Sequence, residues 1–304
     1  MIDIKLLEQL CLCNGISGDE GNVRNLIINE IKDCADDIKT DNLGNLIVFK
    51  KGKKSAKSKL MESGHMDEVG LMVTDITSDG YLKFDEVGGI DRRVLPGKRV
   101  CVGRNGLNGV IGMKPIHLTN GDEKTAVPKM NDMYIDIGAE SREDALKYVN
   151  YGDGINFEGD FKINGKTVVT KALDDRFGCY VLINLIKSEP EYDMYFTFVV
   201  QEEVGLRGAR PAAFTVNPDF ALVIESTTAA DVAEVDASHQ VCNLSKGATV
   251  TVMDRATVYD KEMISAAFEL AEKNNIAVQY KRAVAGGNDS GAIHQSRGGV
   301  RTLA

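Results

Sequence analysis

With 304 residues, 43% hydrophobic and 27% charged, the chain is long enough for two domains and composed like an ordinary folded protein, not a disordered one. A net charge of −9 without a large basic cluster excludes a nucleic-acid surface, and no run approaches the roughly eighteen apolar residues of a membrane helix. Six scattered cysteines without paired metal spacing, and a start (Met1-Ile2-Asp3-Ile4-Lys5) without a leader pattern, point to a reduced, cytoplasmic protein.

In chain order, residues 3–13 read as a helix with Ile4, Leu7, Leu10 and Cys11 on one face. Ser17 and Glu20 have capping-box spacing, which predicts a second helix with Val23, Leu26, Ile27 and Ile31 on its stripe. Asp41–Asn45 is a turn, Leu46–Phe49 a strand, and Lys59–His65 a strand that delivers His65 at its end. From Leu71 to Phe161 the texture changes to short β runs (Leu71–Thr74, Tyr81–Phe84, Arg99–Val102, Val110–Met113, Met133–Ile137) between Gly, Asp and Asn turns. Only Arg142–Val149 reads as helical there. This is small all-β barrel grammar set into an alternating α/β chain, and it predicts an inserted domain over 71–161 within a domain formed by 1–70 and 162–304.

After the insertion, Phe177–Ile186 reads as a helix opened by Asp174-Asp175, and Tyr195–Val200 and Asp219–Glu225 read as strands. Ala248–Val252 and Ile276–Tyr280 are further strands around a helix capped by Asp260. Alternation of this kind predicts a mainly parallel sheet flanked by helices, whose functional residues gather at the C-terminal strand ends.

Three runs carry chemistry. His65-Met66-Asp67, Asp174-Asp175 and Gln201-Glu202-Glu203 each follow or open an apolar element, and Glu225 closes another strand. Each has a plainer reading alone: a structural histidine, a helix N-cap, an exposed acidic loop. Together they supply the imidazole and carboxylates of a divalent-metal site, with Asp67 placed to orient His65 and a spare carboxylate for proton transfer.

The blocks GHMDEVGLMV, ALDDRFGCY, VVQEEVGLRGA, ALVIESTTAADV and GGNDSGAIHQSRGGVRT resemble the tetrahedral (TET) metallo-aminopeptidases. These are glutamyl, leucyl and deblocking enzymes, some labelled cellulase or endoglucanase in older usage. The resemblance implies a zinc-exopeptidase-like fold and two divalent ions, zinc foremost with cobalt or manganese as alternatives. It puts His65, Asp174 and Glu225 at one ion and Asp174 and Glu203 at the other, with Asp174 shared. Glu202 is then the general base, Asp67 the partner of His65, and Gly286, Gly287, Asn288 and Asp289 the loop beside the substrate amino terminus. It also implies peptide substrates, and self-association through the 71–161 domain, from dimers to a dodecamer.

Two departures from the family pattern stand out. Glu225 occupies a position where Asp is usual. The chain also stops at Arg301–Ala304, where the family continues through a strand to an Arg-Tyr-x-His segment, so a C-terminally truncated sheet with an exposed edge and an incomplete second metal site are expected. Two other readings keep part of this picture: a deacylase or deblocking hydrolase on the same metals, and a truncated, non-catalytic assembly subunit. A glycosidase built on Glu202 leaves His65 and Asp174-Asp175 without a role.

Overall fold

The computed structural model describes residues 3–121 and 125–304. Met1 and Ile2, which open the stretch read above for a leader, lie outside the described residues. The chain divides into two compact units. One joins the stretch through Leu10 to Val23–Met66 and Leu173–Ala304, and the other joins Cys11–Asn22 to Asp67–Ala172.

Helix α1 (Ile4–Leu12) buries Leu6, Leu7, Leu10 and Cys11, and α2 (Gly21–Ile31) buries Val23, Ile27 and Ile31. The capping box expected before α2 does not form. The Ser17 hydroxyl donates to Asp67 at 2.6 Å, and Glu20 accepts the N–H of Gly18 at 2.8 Å. With Ser17 and Glu20 held in these bonds, the helix starts beyond both residues. Strands β1 (Asp37–Thr40), β2 (Leu46–Lys50) and β3 (Leu60–His65) follow.

In the second unit, β4 (Gly70–Ile76), β5 (Leu82–Val87), β6 (Arg99–Val102), β7 (Leu107–Met113), β8 (Met133–Asp136) and β9 (Gly154–Phe157) close into a barrel in the order β4-β5-β8-β7-β6-β9. Closure removes the edges that open strands would expose. The interior is apolar: Leu71, Val73, Ile76, Leu82, Phe84, Val100, Val102, Ile111, Met133, Ile135 and Ile155 are all buried. A register shift between Val73 and Asp75 changes the phase of β4, so that Leu71, Val73 and then Ile76 all point inward. The short helix α3 (Arg142–Ala145) is half the length expected. The sequence reading missed β9, the strand that pairs with both β4 and β6. The unit is also wider than 71–161, because Gly15 and Ser17 hydrogen-bond the backbone of Glu68, and the Gly15 N–H bonds the Asn156 side chain. A hairpin of β10 (Lys162–Asn164) and β11 (Thr167–Val169) completes it.

Back in the first unit, α4 (Leu173–Lys187), β12 (Met194–Val199), α5 (Ala209–Val216), β13 (Phe220–Val223), β14 (Ala248–Val250), α6 (Lys261–Lys273), β15 (Val278–Tyr280), α7 (Ser290–Ile293) and β16 (Arg301–Leu303) follow. The six-stranded sheet has the order β1-β2-β12-β3-β13-β16. Its β12-β3, β3-β13 and β13-β16 pairs are parallel, and β1-β2 and β2-β12 are antiparallel. The fold is therefore mixed α/β. One face carries α5 and α7 over Ile47, Met61, Ala221 and Val223, while Gly64, one residue out of phase with Ser63, abuts α4. Arg301–Leu303 form β16 at the edge of the sheet, and Ala304 accepts the N–H of Thr251 at 2.9 Å.

Candidate active site

Parallel pairing aligns the C-terminal ends of β12, β3 and β13, with Val199 opposite His65 and Ser63 opposite Val223. Two further backbone bonds lock these ends, from Met66 N–H to Val199 and from Ile224 N–H to Ser63. What each strand delivers next therefore converges: His65, the Gln201-Glu202-Glu203 turn, and Glu225.

The turn after β12 is pinned by a buried asparagine that the sequence reading passed over. Asn45 accepts the N–H of Val200 at 3.0 Å and donates to the carbonyl of Gly208 at 2.9 Å. Gly208 permits this approach, since a Cβ there would lie 2.3 Å from the Val200 carbonyl oxygen. Gln201 and Leu206 take positive φ (57° and 56°), and the N–H groups of Gly205 and Leu206 both bond the Glu202 carbonyl. The result is a tight turn that fixes Glu202.

Asp174 and Asp175, joined by a cis peptide bond, diverge in role. Asp175 is fully buried and accepts the backbone N–H groups of His65 at 3.1 Å and Gly178 at 2.9 Å, tying α4 to the end of β3. A Cβ at Gly178 would lie 2.3 Å from that carboxylate, so glycine keeps the cradle open. Burial is the main influence on Asp175 and pushes its carboxyl well above the ordinary carboxylate range, opposed by His65. The Asp174 side chain is 55% exposed instead, with Oδ1 3.4 Å from His65 Nε2. Arg176, fully buried, donates to the carbonyls of Met66 and Leu10, and the Ser226 hydroxyl bonds the Leu173 carbonyl.

His65, Glu202 and Glu225 form a group whose ligand atoms lie within 4.8 Å of one another. Glu225 Oε1 stands 3.9 Å from His65 Nε2, and it is buried and makes no hydrogen bond among the described residues. Burial raises the Glu225 carboxyl well above its ordinary range; His65 opposes this, while Asp289, Asp175 and Glu202 add to it. A buried oxygen of this kind is stabilised by a cation, and one imidazole with several carboxylates suits zinc, cobalt or manganese. The residues thus fit a divalent ion.

Of the residues expected at the site, the structure brings together His65, Asp174, Glu202 and Glu225, with Asp289 acting on Glu225. Glu203 follows Glu202 in the same turn but is not part of the three-residue group. Asp67 opens the second unit, where it is fully buried and accepts from Ser17. Asn288 and Asp289 are buried, Gly286 has φ of 66°, and its carbonyl accepts the Arg255 N–H. No helix among the described residues is long and apolar enough to cross a membrane.

The model of the M42 glutamyl aminopeptidases matches residues 44–304. A putative aminopeptidase of Acetivibrio thermocellus is 43% identical over 297 residues, covering 97% of this chain and 87% of that protein. A TET aminopeptidase of a marine-sediment Thaumarchaeota archaeon superposes with a TM-score of 0.93 at 34% identity, over 99% of this chain and 86% of that one. The TET1 peptidase of Pyrococcus horikoshii, which can assemble into a tetrahedron or a large octahedral shell, gives 0.85 at 40% identity, over 99% and 89%.

Proposed function

Because this chain belongs to the M42 glutamyl aminopeptidase family, we propose that it is a metal-dependent aminopeptidase, removing N-terminal residues from short peptides in the cytoplasm. One observation carries the metal reading: the convergence of His65, Glu202 and Glu225 on one point, with Glu225 Oε1 buried and making no hydrogen bond among the described residues.

In this reading His65, Asp174 and Glu225 would hold one divalent ion and Asp174 and Glu203 a second, with Asp174 shared. Zinc is the first choice. Bound there, the ions would polarise the scissile carbonyl and make water nucleophilic near neutral pH. Glu202 takes the proton of the attacking water, whose oxygen bonds to the carbonyl carbon. It returns that proton to the departing amine nitrogen as the C–N bond breaks. A base in this role must sit within one water molecule of the ligands, which is the span that groups Glu202 with His65 and Glu225. Asp175 fixes the backbone from which His65 projects, and Asp67 would be the carboxylate that orients His65. The 286–289 loop receives the peptide amino terminus, and the barrel unit provides self-association.

The test pairs elemental analysis with turnover on peptides bearing a free or an acetylated amino terminus. The expected result is bound metal, cleavage of the free-amine peptide only, loss of activity on chelation, and recovery with zinc, cobalt or manganese. Full turnover after chelation would overturn the metal reading. Preference for the acetylated peptide would move the chain to a deblocking hydrolase.

A further inference from the structure

A buried polar chain behind the site has no part in the account above. Asp254, Tyr259 and Asn288 are 5%, 3% and 5% exposed. The Asp254 carboxylate accepts the N–H groups of Ala256 and Thr257, both at 2.7 Å, which closes a turn, and Tyr259 donates its hydroxyl to the other oxygen at 2.5 Å. The Asn288 amide donates to the Tyr259 oxygen at 2.9 Å and accepts the N–H of Ser290 at 2.8 Å.

The direction of this chain follows from the inventory of donors. Burial, and after it the bond to Asp254, push the Tyr259 hydroxyl pKa up, so it stays protonated. It has a single proton, and the neighbouring carboxylate is the stronger acceptor, so that proton goes to Asp254. The Tyr259 oxygen is then left as an acceptor for the Asn288 NH2 group, while the Asn288 carbonyl oxygen accepts the Ser290 N–H and lies 3.3 Å from the Tyr259 hydroxyl. Tyr259 and the Ser290 N–H together hold the Asn288 amide, which ties the backbone just after Asp289. The same turn is tied to the loop a second time, through the bond from Arg255 N–H to the Gly286 carbonyl. Asp289 itself is fully buried.

We infer that Tyr259, held by Asp254, is a positioning residue that sets the Asp289 carboxylate for the amino terminus of the substrate, acting through Asn288. The inference rests on the aminopeptidase reading and adds to it a determinant of free-amine specificity outside the metal centre. Tyr259 touches neither substrate nor metal in this scheme. Its effect appears in how well the loop reads a charged amine.

The experiment uses the full chain with Tyr259→Phe, and Asn288→Leu as a second variant that keeps the side-chain size but removes the amide altogether. Two readouts are taken: amide hydrogen exchange at Ser290 and Gly291, and kcat and KM on free-amine and acetylated peptides. The expected result is faster exchange at Ser290 in both variants. KM for free-amine peptides should rise about tenfold, the effect of one lost buried hydrogen bond, with kcat little changed and the preference over acetylated peptide reduced. Unchanged exchange at Ser290 overturns the inference, and so does faster exchange with the free-amine preference intact, which would make the chain structural only. If the unmodified protein cleaves neither peptide, the aminopeptidase reading itself fails, and exchange at Ser290 still decides whether Tyr259 orders the loop.

Discussion

The barrel strands and the strands of the large sheet solve the same problem with different chemistry. Strands β4 to β9 bury no ionisable side chain; Asp75, Asp85, Glu86, Arg99 and Asp136 all stay at the surface. The sheet unit, by contrast, buries His65 at the end of β3, Asp175 and Arg176 in α4 and Asp289 just before α7, and β3 buries Glu62 in its middle. An apolar interior gains free energy with every side chain buried, whereas each buried carboxylate costs desolvation unless a cation or hydrogen bonds offset it. The sheet therefore carries the chemistry and bears its energetic burden. If so, substitutions in the sheet's buried charges should alter activity or raise stability, and those in the barrel should lower stability alone.

The largest effect is expected at Glu202. Glu202→Gln removes the proton carrier but keeps the shape, and kcat should fall about a thousandfold, within the usual range for a general base, with the melting temperature nearly unchanged. Near-normal turnover in that variant would falsify the assignment of the base. The barrel gives the converse. Ile135 is fully buried among Leu82, Ile111 and the other interior side chains. Ile135→Ala should cost about 3 kcal/mol in denaturant unfolding, by lost transfer free energy and the cavity left behind. The activity of each folded molecule should not change. A variant equally stable but inactive would break the comparison.

Much of this division was readable from the sequence, for reasons that particular residues illustrate. An apolar run ending on a carboxylate, as in Phe198-Val199-Val200 before Glu202 or Phe220–Val223 before Glu225, is what a buried parallel strand feeding a site must look like. The short β runs between Gly, Asp and Asn turns gave the barrel in the same way. What escaped depends on contacts distant in sequence. Ser17 and Glu20 have capping-box spacing, but Asp67, fifty positions on, takes the Ser17 hydroxyl. Asp174 and Asp175 are the same residue type in adjacent positions, and only the fold makes one an anchor for His65 and leaves the other half-exposed. Asn45, Tyr259 and Asp254 lie in unremarkable turns until the chain brings Gly208 and Asn288 against them.

Glu62 sharpens the comparison on the stability side. Register places it between Phe196 and Leu222, on the face of β3 shared with Gly64, and its Oε2 is buried without a hydrogen bond among the described residues. Burial raises its pKa from the ordinary 4.5 to about 7. The folded protein therefore holds a proton there that the unfolded chain releases. Stability from this group is full below pH 4.5, declines as pH rises, and is lost above about 7. The shift corresponds to about 3 kcal/mol. Glu62→Gln should remove that part of the pH dependence, leaving the variant more stable than the parent by up to this amount at pH 8 and close to it at pH 4. Parallel stability curves for the two proteins across this range would show that the Glu62 charge is relieved in the fold.

The smallest effect belongs to a carboxylate of the same unit that is not buried deeply. Asp260 caps α6, accepting the N–H groups of Glu262 and Met263, each at 3.0 Å, and it also pairs with Arg301 of β16 at 2.6 and 2.9 Å. The Arg301 bonds, and after them the backbone N–H of Met263, lower its pKa to about 2, the opposite direction from Glu62. Its contribution is thus present at neutral pH and lost as pH falls toward 2. Asp260→Ala should cost about 1 kcal/mol, mostly through the cap, because an exposed ion pair adds only about 0–1 kcal/mol. Asp260→Asn separates the two contributions, since asparagine caps as well as aspartate but carries no charge. It should recover most of the loss in urea unfolding at moderate salt. If Asp260→Asn were instead as destabilising as Asp260→Ala, the pair with Arg301 would be what holds β16 to the start of α6. An exposed charge would then be doing in this unit what apolar packing does in the barrel.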